Sequence, residues 1–197
     1  MTFGRLYRFA NNLRNHPIIL EGVVDAKAME LTAQDELYYV PVDLDPHISL
    51  GHIKQYRIQT GIYNGDPTWV TEIRYFQGLN TCWKRYVCCK ELMHVFDSQA
   101  ERTDTAEKFQ QLVNEIETPL PRDEASPMYD TESRTLWMAI AVLCPSDLRE
   151  QFKPKWDGKQ LSDYEVALEL RIPEVLIKTI MGSQYDRMIP FLTEHFA

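Results

Sequence analysis

Two stretches in the middle of the chain carry a strand pattern. From His52 to Tyr63 the apolar residues Ile53, Tyr56, Ile58 and Ile62 are spaced among polar ones, and Thr68 to Phe76 alternates again. Asn64-Gly65-Asp66-Pro67 between them is a strong turn signal, so the pair predicts a β-hairpin. Gly78-Leu79-Asn80-Thr81 then breaks the strand and can cap a helix. From Cys82 to Phe96 the period becomes helical, with Trp83, Val87, Cys88, Leu92, Val95 and Phe96 forming an apolar stripe.

Helical periodicity also covers residues 3–14, ending near Asn15-His16-Pro17, and 26–35 and 104–116. Three prolines mark 118–130 as a loop. The helix expected at 131–144 is apolar nearly all round at WMAIAVLC and should be central. A short helix to about 152, a polar connector at 153–159 and helices near 162–171, 173–182 and 184–195 complete the chain. The expected class is α+β: a small antiparallel sheet (hairpin) with a mostly helical C-terminal half. The expected division is a helical segment at 1–50, a core at 51–160, and C-terminal helices at 161–197 packed on that core.

Composition narrows the function classes. The 197 residues carry a net charge of −8, which argues against broad contact with nucleic-acid phosphates. Nothing approaches the roughly 18 apolar residues of a membrane span, and MTFGRLYRFANNLRNH lacks the apolar core of a secretory signal. Cys82, Cys88, Cys89 and Cys144 include an adjacent pair and no CxxC, the usage of a reducing compartment. The expectation is a cytoplasmic protein.

The segment richest in chemistry is Arg85-Tyr86-Val87-Cys88-Cys89-Lys90-Glu91-Leu92-Met93-His94. It resembles the ImmA/IrrE metallopeptidase family, bacterial or phage-borne, whose active helix reads Arg-Phe-Thr-x-Ala-His-Glu-x-x-His. Lys90 stands where the first histidine belongs. In the intact motif two histidines four apart share one helix face and grip zinc, while the glutamate serves as general base for the metal-bound water. An ammonium has no lone pair to donate. Downstream, Ala139-Ile140-Ala141-Val142-Leu143-Cys144-Pro145 is similar to the end of the family's next helix, which supplies an acidic third ligand. In that register the ligand falls on Arg134; the nearest acid, Glu132, is two positions away, and only a register slip brings it into place.

The resemblance therefore implies a degenerate member with a zincin-like active helix, a pseudo-peptidase with Lys90, Glu91, His94 and Arg134 as vestigial metal-site positions, no catalytic residue and no cofactor. It implies a protein partner such as a helix-turn-helix repressor, held as an extended segment along a sheet edge. Residues 68–76 are the expected edge strand, with Trp69 and Tyr75 as anchors. Restoring Lys90→His alone is expected to fail, because Arg134 still blocks the third position.

Two other readings stand beside this one. The first is an active zinc metallopeptidase with Glu91 as base and His94 as a ligand, joined by Glu132 or Cys88. The second is an unrelated protein-interaction domain in which Glu91 and His94 belong to a plain amphipathic helix. Cys88 and Cys89 read first as packing residues. His16, His47, His52 and His195 lie in loops, at a strand start or near the ends. The helix pair at 162–182 has the outline of a helix-turn-helix, but Asp163, Glu165, Glu169 and Glu174 make it predominantly acidic, so packing is its default role.

Overall fold

A computed structural model describes residues 3–14, 16–59, 66–98, 101 and 127–196. The helix expected at 104–116, most of the loop before residue 130 and the Asn64-Gly65 part of the turn lie outside the described residues.

The chain is α+β, as the periodicities indicate, with one three-stranded sheet among the described residues. Helix α1 (Phe3–Asn12) leads through a kinked helical segment at Leu20–Val24 into α2 (Asp25–Thr32). The strands are β1 (Glu36–Val42), β2 (Gly51–Ile58) and β3 (Thr68–Phe76). Helix α3 (Thr81–Met93) follows and tightens into a final turn at His94–Phe96. Beyond the undescribed stretch come α4 (Pro127–Leu143), α5 (Ser146–Asp157), α6 (Asp163–Leu170), α7 (Ile177–Met181) and α8 (Ser183–His195).

The expected antiparallel pairing of the two strands forms, but the sheet as a whole is not purely antiparallel. β2 and β3 do pair antiparallel, from Gly51 opposite Tyr75 to Ile58 opposite Thr68. A strand absent from the sequence reading, β1, pairs parallel to the other side of β3, from Glu36 opposite Val70 to Val42 opposite Phe76. The sheet is mixed, in the order β1-β3-β2. Pro41 fits this place, because an edge strand tolerates a residue with no N–H to give to the ladder. Tyr39, Ile73 and Ile53 lie side by side across the three strands and pack against the helical core. On the opposite face the same register aligns Tyr38, Glu72 and Lys54.

Two helix boundaries also differ. α4 begins at Pro127, inside the expected loop, and α5 runs through Pro154 to Asp157 instead of stopping near 152. The bond from Trp156 Nε1 to Asp163, at 2.7 Å, and the Lys153–Asp157 pair hold the end of α5 where composition alone suggests a connector.

The segment before residue 50 shares the core. Phe3, Leu6 and Ala10 of α1 are fully buried at three- and four-residue spacing, and α1 packs on α4 and α8. The centre of α4, from Met138 to Leu143, is buried on all sides. Arg149 of α5 reaches inward to the carbonyls of Ile180, Met181 and Gly182 and to Asp186, capping α7. No described helix is long and apolar enough to cross a membrane.

Candidate functional site

Helix α3 is set by its cap and by what it lies against. The Asn80 side chain accepts a hydrogen bond from the backbone N–H of Trp83 at 3.0 Å, as the capping signal predicts. The helix then packs between the sheet and α4. Gly51, at the start of β2, permits the close approach. A Cβ there would lie 2.5 Å from Val87 Cγ1, 3.0 Å from the Arg74 carbonyl oxygen and 3.3 Å from Glu91 Cγ. One glycine thus brings the first residue of β2 against the carboxylate-bearing turn of α3.

At that turn Lys90, Glu91, His94 and Arg134 take part in an ionic network. Glu91 is only 4% exposed. The Lys90 ammonium donates to Glu91 Oε1 at 3.1 Å and also to Glu132 Oε2 on α4. His94 Nδ1 lies 2.6 Å from Asp97 Oδ2, and its Nε2 lies 3.5 Å from both Glu132 Oε1 and Thr135 Oγ1. Arg134 donates to Asp97 Oδ1 at 3.0 Å, to Thr131 Oγ1 at 3.2 Å and to Glu101. Four carboxylates (Glu91, Glu132, Asp97, Glu101) are thus interleaved with two permanent cations and an imidazole.

This geometry corrects the expected role of Arg134. It is Glu132, not Arg134, that α4 presents to His94 and Lys90, while Arg134 turns to Asp97 and Glu101. Asp97 and Glu101 were missed. An acid three residues beyond His94 was the only local signal for Asp97, and nothing in the sequence ties Glu101 to Arg134.

The charges bias one another's protonation. Burial works to lower the His94 pKa, but the bond to Asp97 and the charge of Glu91 outweigh it, and the net shift is upward. Burial works to raise Glu132, and the charges of Lys90 and His94 outweigh it, holding the carboxyl below its usual range. For Lys90 burial opposes the charge, yet Glu91 and Glu132 raise its pKa further, so it stays an ammonium.

The donor set does not fit a metal ion. His94 has the orientation of a ligand, one ring nitrogen anchored by a carboxylate and the other turned to the site. Between the two carboxylates that would complete such a site stands the Lys90 ammonium, which can only donate. Among the described residues no three His, Cys, Asp or Glu side chains are grouped to hold a metal. Cys88 does not rescue the site: it faces a different cavity, beside Lys84 and Arg85, and burial pushes its thiol up to about 12. Cys89 and Cys144 are buried free thiols. His16, His47 and His195 are exposed and apart from the network, whereas His52, on β2, feels the charge of Glu91.

Trp69 and Tyr75 are not on an edge. Both sit on β3, whose two sides are taken up by β1 and β2, so that strand cannot receive an added peptide. Their rings are already engaged: the Arg57 guanidinium stacks 4.0 Å from Trp69, and the Lys84 ammonium stands 5.1 Å from Tyr75. Among the described residues the outer sides of β1 and β2 have no strand partner. Comparison of the chain with protein families, curated proteins and solved structures finds no match.

Proposed function

We propose that this chain is a non-catalytic, metallopeptidase-like binding module in which the Lys90 ammonium stands in for the metal ion. The observation that carries the reading is the position of Lys90 between Glu91 and Glu132, with His94 beside Glu132. A cation is retained where the resembling family holds zinc, but one that neither polarises a carbonyl nor lowers the pKa of a bound water from about 15.7 towards 7. The order of strands, active helix and following helix, with an acid of that helix turned to His94, supports the resemblance to the ImmA/IrrE family.

The binding edge in this proposal is β2, not β3. Among the described residues its outer side has no strand partner, its first residue abuts Glu91, and His52, Lys54 and Arg57 are exposed along it. An extended protein segment adding a strand there gains main-chain hydrogen bonds, and the Lys54 and Arg57 cations favour an acidic one. The resemblance points to a bacterial or phage transcription regulator as the partner, in a cytoplasmic setting.

A second reading, an active zinc peptidase with Glu91 as base, gains support from Glu132 lying 3.5 Å from His94. Elemental analysis and a peptide-cleavage assay separate the two. The expected result is no stoichiometric zinc and no cleavage. About one zinc per chain, with cleavage abolished by Glu91→Gln, would overturn the proposal.

A further inference from the structure

The first half of α3 borders a cavity of about 270 Å³ that shares no lining residue with the Lys90 network. Three of its lining side chains, Lys84, Arg85 and Arg171, are cations, and Glu21 is the one acid among them. This local excess of positive charge runs against a chain whose net charge is −8. The run Pro17 to Leu20 also lines the cavity and supplies apolar side chains, with Ile19 still 45% exposed at the surface.

Glu21 does not neutralise the cluster. It lies 3.5 Å from the Lys84 ammonium in an exposed pair. Among the described residues neither Arg85 nor Arg171 has a carboxylate partner. Arg85 instead donates to three carbonyls: Nη1 to Leu170 at 2.8 Å and to Arg171 at 3.2 Å, and Nη2 to Ile18. A guanidinium has five N–H groups, so these bonds fix its plane and leave two donors over. A group already immobilised in this way loses little freedom when it takes a ligand. Burial lowers the Arg85 pKa, and the charge of Arg171, which lines the same cavity, also acts to lower it. Thr81, the first residue of α3, also lines it, placing the positive end of a 13-residue helix beside the cations.

We infer that this cavity is a binding site for a small organic anion, a phosphate or carboxylate carried on a short apolar stem. The anionic head bridges Arg85 and Arg171 with Lys84 beside it, and the stem lies along Ile19 and its neighbours. Planar guanidiniums suit either oxyanion through paired N–H···O bonds. The volume lies just below the roughly 300–1,000 Å³ of small-molecule pockets, which suits a small ligand. Cys88 also lines the cavity, but its thiol stays protonated and serves as wall, not as a nucleophile.

The test titrates the protein with butyl phosphate, butyrate and inorganic phosphate, following backbone amide shifts at constant ionic strength with chloride as the control. The expected result is saturable binding of butyl phosphate or butyrate, with shifts centred on residues 17–21, 81–88 and 171. The tighter of the two identifies the head group. Arg171→Gln, a change at an exposed side chain, should weaken binding roughly tenfold, and adding Lys84→Gln should weaken it further. Arg85 is left intact because it holds the carbonyls of three distant residues. Equal shifts with chloride mean an adventitious ion only and overturn the inference, as does wild-type affinity in Arg171→Gln.

Discussion

Replacing Lys90 with methionine removes the cation that, among the described residues, touches both Glu91 and Glu132, and leaves a stem of similar length in place. In the native protein the ammonium stands 3.1 Å from Glu91 Oε1 and also bonds Glu132. The side chains are 21% exposed at Lys90, 5% at Glu91 and 33% at Glu132, so the pair with Glu91 is nearly desolvated and the one with Glu132 only partly. Removing one partner of a buried pair costs about 3–5 kcal/mol, and the exposure of Glu132 places Lys90→Met near the lower end, about 3 kcal/mol. The double variant Lys90→Met/Glu91→Gln leaves no buried charge at this pair and should recover at least half of that loss. Urea denaturation at pH 7 measures each variant. The pH dependence gives a second readout. The folded-state pKa of Glu132 is depressed, so its contribution is present above its unfolded value near 4.5 and is lost as pH falls through the depressed value. The gap between native protein and Lys90→Met should therefore be full at pH 7 and narrow on acidification. A loss under about 1 kcal/mol at pH 7, or a double variant as unstable as the sum of the single ones, would refute the pairing.

Three further outcomes follow from the same geometry. Because Glu132 rather than Arg134 faces His94, Lys90→His alone should bind about one zinc per chain after dialysis, reversing the expectation from the sequence register; a protein still free of zinc would mean that Glu132 cannot serve as a ligand. The His94 pKa is raised in the folded state, so its stabilising share is complete below its ordinary value near 6.5 and fades as pH rises through the raised value; Asp97→Asn should lower the imidazole titration followed by NMR, and an unchanged midpoint would deny the role of that bond. Gly51→Ala should cost about 1–3 kcal/mol in thermal or urea unfolding, because its Cβ would meet Val87 Cγ1 at 2.5 Å and the Arg74 carbonyl at 3.0 Å; a neutral substitution would mean that β2 moves away from α3 without penalty.

Much of the local structure is legible without coordinates, because it depends on neighbours in the chain. The alternation in β2 and β3, the Asn80 cap and apolar stripe of α3, and the all-round apolar centre of α4 are properties of short windows, and each forms at or near its expected place. Lys90, Glu91 and His94 share one helix turn, so their convergence is also a local matter. What tertiary structure decided is non-local. β1 is short, carries Pro41, and pairs parallel with a strand more than thirty residues later, a partnership for which its own residues hold no signal. That pairing turns β3 into the central strand and takes Trp69 and Tyr75 off the edge. The choice between Glu132 and Arg134 depended on how α4 is rotated against α3. Residues two apart on a helix point in different directions, so burial of the two apolar surfaces sets which side chain meets His94 and which turns to Asp97 and Glu101.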